Sequence, residues 1–431
     1  MEANQYSNTG FINPLVKDLR ESDTLSINEK SKKLVSEGKT IYRFGLGQSP
    51  FPVPLVVVNS LRLHAPEKDY LPVRGLPALR EAVASFHCKK DEIEALPDQV
   101  IIGPGSKELL FLIQMVFHGE IIIISPCWVS YIPQATILGK KISVIHSSYE
   151  DKWQLTPKLF RAFLETRDDK TKPALMILNY PGNPDGVSFD ESDLKEVAAL
   201  AREHNIIILA DEIYGQLHHT GRHIPISRYY PEGTIISSGL SKWCGAGGWR
   251  LGTFTFPSSL TWILNKMAVV ASETYTSVSA PIQFAAIEAF KGGTEIEEYL
   301  WHVRRILSTL GNACAQMLND AGIRTHAPIG GFYLFIDFTL LADRLAEKGI
   351  TTSPVLCQRL LDETGVAILP GSSFNRDENE LTARLAYVDF DGASALSASR
   401  TIRLSSPLPE DFNSFYCPKV IQGIRKLIEW I

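Results

Sequence analysis

The chain has 431 residues and a mass of 47.9 kDa, enough for two or three domains and for a large core that needs no disulfides. Hydrophobic residues make up 45% and charged residues 21%, a balance that excludes a disordered, collagen-like or coiled-coil chain. The net charge of −5 provides no overall basic surface for nucleic acid or an anionic membrane.

The compartment is predicted from cysteine spacing and from the absence of targeting patterns. The six cysteines are widely spread without a C-x-x-C pair, which is typical of reduced thiols. Residues 1–10 are polar and carry no signal-peptide pattern, and no run approaches the roughly 18 apolar residues of a membrane span. We therefore expect a cytoplasmic protein with no membrane contact.

The first fifty residues end in a proline-rich stretch. Residues 50–54 contain three prolines and form a stiff, extended segment suited to crossing between two domains. We expect residues 1–50 to join a smaller domain that is otherwise built from the C-terminal part of the chain.

Residues 95–256 alternate short β-rich runs with helix-length segments, a pattern typical of βαβ units. Several runs are apolar at consecutive positions, as expected for a parallel sheet covered on both faces. Two intervening segments, 107–118 and 191–204, have helical spacing, and Asp190 is a candidate N-cap for the second. The predicted strands cover residues 99–102, 120–125, 141–146, 174–178, 206–210, 234–238 and 253–256.

The pattern changes after Pro281. A long helix is predicted over residues 295–321, followed by mixed strands and helices to the C-terminus. We interpret residues 51–320 as a large domain and residues 321–431 as a smaller α+β domain. The serines and prolines around residues 391–411 indicate a surface insertion.

Three polar segments follow predicted strands, where open α/β sheets bind their ligands. Residues 103–108 open a helix, whose free N–H groups suit a phosphate. Residues 210–214 read Ala-Asp-Glu-Ile-Tyr, and the glycine-rich residues 239–252 place Lys242 eight positions before Arg250. A solvated loop lysine is the ordinary interpretation of Lys242 alone, so the surrounding residues decide its meaning.

Residues 239–252 resemble, position for position, the lysine signature of the class I and II aminotransferases that use pyridoxal 5'-phosphate. The resemblance runs from about Phe44 to Val388 and is closest to the aspartate/prephenate aminotransferase subgroup. It implies fold type I, an α/β fold with a large domain containing a mostly parallel seven-stranded sheet and a smaller α+β domain. It also implies that Lys242 holds the cofactor as a Schiff base and that Arg250 binds its phosphate.

The same resemblance implies cofactor roles for residues upstream. Asp211 would pair with the pyridine nitrogen, which makes the ring an electron sink. Tyr214 and Asn183 would bond the phenolic oxygen, and Asn183 fits the family's N-P-x-G turn better than Asn179 does. The phosphate loop and the aromatic residue that stacks on the ring correspond to Gly105, Ser106, Lys107 and Trp128.

Two further elements match in part. Residues 69–80 resemble a family element whose tyrosine reaches the neighbouring subunit's phosphate, so Tyr70 implies a homodimer with shared sites. Gly47 keeps a backbone contact near the substrate, but residues 48–50 depart from the usual G-E-P-D-F and leave the entrance chemistry open. Asp185 replaces a usual threonine or serine, and Gly239 stands where many relatives have a serine that Ser238 or Ser241 could replace.

Substrate recognition depends on cations. Arginine suits an α-carboxylate because its planar fork makes two parallel bonds; Arg384 is the first candidate and Arg403 the alternative. Lys107 falls where the aspartate/prephenate subgroup reads the distal carboxylate, although a solvated first-turn lysine is equally compatible with the sequence. Substrate contacts are therefore predicted for Gly47, Lys107, Trp128, Asn183 and Arg384.

The resulting hypothesis is an aminotransferase that moves an amino group from an acidic L-amino acid to a 2-oxo acid such as 2-oxoglutarate by a ping-pong mechanism. Lys242, Asp211 and Tyr214 would be the catalytic residues. A β-lyase or decarboxylase of the same fold is the alternative, because the cofactor permits several bond cleavages. A DNA-binding regulator would need a further domain, and His218, His219 and His223 lack an evident partner for a metal.

Overall fold

The structure, a computed structural model, describes residues 11–167 and 169–431, so the expectation about residues 1–10 lies outside the described residues. The strands are β1 Tyr42–Arg43, β2 Val100–Gly103, β3 Glu120–Ser125, β4 Ile142–His146, β5 Ala174–Asn179, β6 Ile206–Asp211, β7 Thr234–Gly239, β8 Gly252–Thr255, β9 Tyr333–Asp337, β10 Val366–Ala367, β11 Leu369–Pro370 and β12 Thr382–Ala386. The α-helices are α1 Asp23–Ser36, α2 Leu55–His64, α3 Pro77–Lys90, α4 Ser106–Val116, α5 Tyr131–Ile137, α6 Pro157–Thr166, α7 Glu191–Glu203, α8 Thr261–Ser272, α9 Ala280–Lys291, α10 Thr294–Asp320, α11 Ala342–Glu347, α12 Ser353–Thr364, α13 Gly392–Arg400, α14 Phe412–Tyr416 and α15 Pro418–Trp430.

A seven-stranded sheet with the order β2-β8-β7-β6-β5-β3-β4 forms the centre of the large part of the chain. The five strands from β7 to β4 are parallel, whereas β8 runs antiparallel to both of its neighbours. The predicted α/β class and the mostly parallel sheet are confirmed. Each of the seven strands lies within one residue of its predicted position.

The sheet is covered on both faces, which explains the consecutive apolar residues of its strands. On β3, Ile121 and Ile123 pack in one buried cluster with residues of α4 and α8. Ile122 and Ile124 pack in a separate cluster with residues of α6 and α7. Because side chains alternate along a strand, two covered faces require apolar residues at every position.

The polar segments gather at one edge of the sheet because the parallel strands end there together. In the register, Asn179 pairs with Asp211, and Asp211 pairs with Ser237. The chain segments leaving β3, β5, β6 and β7 at this edge lead directly to Trp128, Asn183, Tyr214 and Lys242. The strand order therefore brings together residues that are more than a hundred positions apart in sequence.

Two small sheets lie outside the large one. Strands β11, β12 and β9 form a three-stranded antiparallel sheet, and β1 pairs in parallel with β10, so Tyr42 stands beside Val366. Three hydrogen bonds tie the turn after β11 to the ends of β3 and β4: Cys127 N to Phe374 O (3.0 Å) and Ser125 Oγ to Asn375 O (2.7 Å) at β3, and Arg376 Nη1 to Ser147 O (2.9 Å) at β4. The three-stranded sheet is thereby attached to the edge where the polar segments gather.

The segment around residues 391–411 contains the short helix α13. The Asp391 carboxylate accepts hydrogen bonds from the N–H groups of Ala393 and Ser394, at 3.0 and 3.1 Å, and so caps this helix. At α7, Asp190 occupies the predicted N-cap position, but its side chain makes no capping hydrogen bond and lies 3.4 Å from Lys152 Nζ instead. In the described part of the chain, no helix is both long and apolar enough to cross a membrane.

Candidate active site

A cavity of about 540 Å³ opens at the edge of the sheet where the parallel strands end. Its walls come from the strand-end segments, from the start of α4, and from residues near α1 and β9. The predicted site residues that line it are Gly47, Ser106, Lys107, Trp128, Asn183, Asp211, Tyr214, Lys242, Arg250 and Arg384. A space of this size holds a small organic molecule together with a substrate.

Lys242 projects into this cavity from the segment that follows β7. Its Nζ donates a hydrogen bond to the Gly47 carbonyl at 2.8 Å and lies 5.6 Å from the centre of the Tyr214 ring. One bond to a carbonyl leaves further donor capacity on the ammonium group. The side chain is half-buried, so a ligand in the cavity can reach the amine.

Asp211 is the last residue of β6 and is 3% exposed. Tyr131 donates a hydrogen bond to its Oδ2 at 2.6 Å, and Ser237 donates one to its Oδ1 at 3.2 Å. Burial raises the pKa of the Asp211 carboxyl, and the two hydrogen bonds oppose that rise. Among the described residues no lysine, arginine or histidine forms an ion pair with this carboxylate, so a cationic ligand group would complete its surroundings.

Asn183 and Arg384 form a fully buried polar pair in the cavity wall. Arg384 Nη1 donates to Asn183 Oδ1 at 3.0 Å, and Nη2 donates to the Gly45 carbonyl. The guanidinium also lies 4.8 Å from the ring centres of Tyr333 and Phe374. Burial lowers the pKa of Arg384, but arginine remains charged at neutral pH. A buried guanidinium bonded only to neutral oxygens is suited to receive a carboxylate.

Asn179, the alternative to Asn183, also lines the cavity and stabilises the turn that carries Asn183. Its Oδ1 accepts a hydrogen bond from the Asn183 N–H at 2.8 Å, and its Nδ2 donates to the Asp211 carbonyl at 2.7 Å. Asn179 therefore links the ends of two adjacent strands, while the Asn183 side chain meets Arg384.

The start of α4 and Arg250 form the end of the cavity expected to hold a phosphate. Gly105 precedes the helix with φ of +91°, and a Cβ placed there would lie 2.1 Å from Arg250 Nη2, so only glycine fits. Arg250 itself has φ of +55° and donates to the carbonyls of Gly247 and Pro104, at 3.0 and 3.3 Å. A guanidinium beside free helix N–H groups is an arrangement that binds phosphate.

Lys107 and Trp128 form a cation–π pair in the same cavity. Lys107 Nζ lies 5.1 Å from the centre of the Trp128 ring. Partial desolvation and the nearby charges of Arg250 and Lys242 lower the pKa of Lys107. A cation held near two other cations gains stability when an anion binds between them.

Several candidates lie away from the cavity. Tyr70 is 91% exposed. Arg403 is also exposed, and its backbone carbonyl accepts hydrogen bonds from Arg305 Nη1 and the Ser406 N–H. Ser241 lines the cavity and Ser238 does not, so Ser241 is the better replacement for the missing serine.

The three histidines have separate partners. The imidazole of His223 lies 3.1 Å from Glu212, that of His219 contacts the Pro328 and Gly331 carbonyls, and that of His218 contacts Thr220. Across residues 11–167 and 169–431, no group of three or more histidine, cysteine, aspartate or glutamate residues could hold a metal ion.

Sequence reasoning missed several residues that line the cavity or support its walls. Tyr131, at the start of α5, and Ser237, within β7, donate hydrogen bonds to Asp211. No local sequence pattern indicates these two contacts. Ser22 and Thr24 reach the cavity from the start of α1, a contact over a sequence distance that no local pattern reveals. Tyr333, whose hydroxyl lies 2.8 Å from that of Tyr214, stands in a hydrophobic strand and resembles an ordinary core residue.

The cavity fits a phosphorylated pyridine aldehyde. The close approach of Gly105 to Arg250 at the start of α4 suits a phosphate. A protonated ring nitrogen would supply the cation that the buried Asp211 carboxylate does not find among the described residues. Lys242 has its amine in the same cavity, where such an aldehyde would need one to form a Schiff base. This combination, at the strand ends of a sheet with this order, defines a pyridoxal-phosphate-dependent transferase of fold type I.

The particular family follows from comparison with known proteins. The family model for aminotransferase class I and II matches residues 39–387, so the chain belongs to that family and is a pyridoxal-phosphate-dependent transaminase. It is 30% identical to the aspartate aminotransferase of Bacillus sp. (strain YM-2), over 86% of this chain and 93% of the relative. It is 29% identical to the aspartate/prephenate aminotransferase of Thermus thermophilus, over 83% of this chain and 90% of the relative.

A solved structure has the same fold. The aspartate aminotransferase from Thermus thermophilus with maleate superposes with a TM-score of 0.82 at 24% identity, and the match covers 97% of this chain and 99% of that chain.

Proposed function

We propose that this transaminase moves the amino group of an acidic L-amino acid, aspartate in the first place, to a 2-oxo acid such as 2-oxoglutarate by a ping-pong mechanism. The observation that carries the proposal is the pair of cations Lys107 and Arg384 in one cavity with Lys242. Arg384 accounts for the α-carboxylate that every amino acid substrate has. Lys107, held over Trp128, is then available for a second carboxylate.

The relatives support the same substrate class. Proteins named aspartate aminotransferase, from Bacillus sp. and Bacillus subtilis, are 30% identical to this chain over 86% of its length. A cation within the cavity is also a better match to a dicarboxylic substrate than to an apolar one, because an apolar side chain would desolvate Lys107 without replacing its lost hydration.

The chain's own residues divide the work of the reaction. The bound cofactor supplies an electron sink for the charge that develops at the substrate Cα. The Lys242 amine would move a proton at the substrate Cα, first as base and then as acid. Asp211 would hold the ring nitrogen in its cationic form, and Tyr214 and Asn183 would offer hydrogen bonds to the phenolic oxygen. Arg384 orients the substrate through its carboxylate.

We also propose a homodimer in the cytoplasm. Tyr70 is exposed in the single chain, as a residue that reaches a partner's phosphate would be. The six cysteines, all of which lie in the described part of the chain, are free thiols, and five of them are buried. Buried thiols without disulfides are typical of a reducing compartment.

The visible absorption spectrum of the purified protein tests the substrate class. We expect L-aspartate to convert the bound cofactor to its amine form and 2-oxoglutarate to restore it, with L-alanine and an aromatic amino acid much slower. Restoration by a 2-oxo acid also separates a transaminase from a β-lyase or decarboxylase. An unchanged spectrum with aspartate, in a protein that carries the cofactor, would refute the acidic substrate.

A further inference from the structure

Tyr214 and Tyr333 form a buried pair of hydroxyl groups at the cavity wall. Their oxygens are 2.8 Å apart, and the two rings meet edge to face with centres 5.5 Å apart. Tyr214 is 2% exposed and Tyr333 is 1% exposed. Among the described residues, neither hydroxyl makes another hydrogen bond.

The two hydroxyls carry two protons but share one hydrogen bond. If Tyr214 donates to Tyr333, Tyr214 has no proton left for any other acceptor. If Tyr333 donates to Tyr214, the Tyr214 proton is free to point elsewhere. A ligand oxygen that accepts from Tyr214 therefore requires the second arrangement.

We propose that Tyr333 is a positioning residue that donates its phenolic proton to Tyr214 and thereby directs the Tyr214 proton to the phenolic oxygen of the cofactor. This inference rests on the proposed contact between Tyr214 and that oxygen. Hydrogen bonds in such a chain polarise one another, so the donation from Tyr333 also makes Tyr214 a stronger donor.

The surroundings hold Tyr333 in the required place. A Cβ at Gly47 would lie 1.8 Å from the Tyr333 hydroxyl oxygen, so the glycine is what allows the tyrosine to reach Tyr214. The Arg384 guanidinium lies 4.8 Å from the Tyr333 ring centre and stabilises the ring from one face. Burial keeps the pKa of Tyr214 well above its ordinary value, so Tyr214 remains a neutral donor.

The arrangement also connects two parts of the proposed site. Tyr333 contacts Arg384, which is proposed to bind the substrate carboxylate, and it contacts Tyr214, which is proposed to bind the cofactor. Because β9 and β12 are paired with Tyr333 beside Ala386 and Phe335 beside Arg384, both side chains are fixed by one small sheet.

The test is a spectroscopic pH titration of the bound cofactor in the intact holoenzyme. Donation to the phenolic oxygen stabilises its anionic form, so weaker donation raises the pKa of the chromophore. We expect Tyr333→Phe to raise that pKa by roughly 0.1–0.7 units, since cooperative strengthening amounts to ~10–30% of a charge-assisted hydrogen bond. Tyr214→Phe should raise it further, and adding Tyr333→Phe to Tyr214→Phe should change nothing more.

Tyr299→Phe is the matched control, because Tyr299 is a buried tyrosine on α10 whose hydroxyl has no hydrogen-bond partner in the described part of the chain. It should leave the chromophore pKa unchanged. A shift from Tyr214→Phe without one from Tyr333→Phe would overturn this inference alone, as would an equal Tyr333→Phe shift in both backgrounds. No shift from Tyr214→Phe would overturn its proposed cofactor contact and this inference together.

Discussion

At the scale of single residues, the buried carboxylate of Asp211 is the best-defined group in the cavity. Two hydroxyl donors fix its orientation, and its own burial disfavours the charge that it is required to carry. A cation on the cofactor ring resolves this conflict, because a buried pair is stable where a buried single charge is not. Asp211 is therefore arranged for a ligand that brings a positive charge.

We expect Asp211→Asn to lower kcat by at least about 100-fold while the protein stays folded and keeps its cofactor. Breaking a buried charge pair costs roughly 3–5 kcal/mol, and the loss here falls on the charge that develops during the reaction. Steady-state kinetics and the visible spectrum measure the two effects. The exposed Asp362→Asn is a control that should change neither, and a fully active Asp211→Asn enzyme would contradict the assignment.

Lys107 offers a prediction about specificity. We expect Lys107→Gln to raise KM for aspartate by about 10-fold or more, because a hydrogen bond to a charged group contributes roughly 1.5–3 kcal/mol. The rate with L-alanine, which has no distal carboxylate, should change little. Lys195→Gln, on the outer face of α7, serves as the control. An equal loss for both amino acids would instead assign Lys107 to the cofactor phosphate.

Asp185 gives a prediction about pH and stability. Burial raises the pKa of its carboxyl to about 7, well above the ordinary value for aspartate. Below pH 4 the group is protonated in both states, whereas between about 4 and 7 the unfolded chain loses the proton first. This residue therefore subtracts stability as the pH rises, by up to about 1.4 kcal/mol per unit.

Asp185→Asn removes that titration. It keeps a side-chain oxygen for the hydrogen bond that the Val187 N–H donates to Asp185 Oδ1 at 2.9 Å. We expect the variant to become progressively more stable relative to the natural protein from pH 5 to pH 7, as measured by the difference between their free energies of unfolding. Denaturant unfolding at several pH values measures this difference. A constant difference over that range would show that the carboxyl titrates normally.

At the scale of secondary-structure elements, the sequence predicts the large sheet well and the supporting contacts poorly. Strands such as β3 and β6 are predicted by unbroken runs of isoleucine and leucine. The lysine signature identifies Lys242 as a site residue from the sequence alone. By contrast, Ser22, Thr24 and Tyr333 enter the site through packing between distant segments. Periodicity describes which residues are buried but not which distant side chains they meet. The boundaries predicted at residues 50 and 320 remain a prediction.

The segment around residues 391–411 has a clear anchor in α10. Arg305 donates to the Ser399 carbonyl, to that of Ile402 at 2.8 Å and to that of Arg403 at 3.0 Å. One guanidinium thus satisfies carbonyls at and beyond the end of α13, where helices leave acceptors without partners. The charged group therefore adds to the apolar contacts that Ala395 and Leu396 of α13 make in the buried core.

We expect Arg305→Gln to loosen this segment and lower the unfolding free energy by about 1–3 kcal/mol, as expected for lost hydrogen bonds to a charged group. Hydrogen exchange should accelerate at the Ile402 and Ser406 amides, which bond within the segment. The exposed Arg425→Gln is the matched control. Unchanged exchange at these amides would mean that other contacts hold the segment.

At the scale of the whole molecule, Tyr70 separates a single chain from a dimer. The tyrosine is exposed and lies outside the cavity of its own chain, so its proposed role needs a second subunit. We expect Tyr70→Phe to weaken cofactor binding by about 10-fold, the value of one hydrogen bond of roughly 1.4 kcal/mol.

Mixing two inactive or impaired variants tests the sharing of sites directly. A dimer of one Lys242→Ala subunit and one Tyr70→Phe subunit contains one complete site, made from the natural Lys242 of one chain and the natural Tyr70 of the other. At limiting cofactor, the refolded mixture should therefore exceed the mean activity of the two separate variants. Activity equal to that mean would place Tyr70 outside any shared site.

The three hydrogen bonds between the turn after β11 and the ends of β3 and β4 have a consequence for the length of the proposed substrate. Lys107 stands on α4, and Arg384 stands on β12, which pairs with β11. Because these bonds attach the turn to the large sheet, they fix the distance between the two cations. If the proposed function is correct, that distance selects a dicarboxylic acid by the number of carbons between its two carboxylates. Removing the Arg376 hydrogen bond would make the distance between the two cations less well defined. Four-carbon and five-carbon diacids would then be distinguished less sharply.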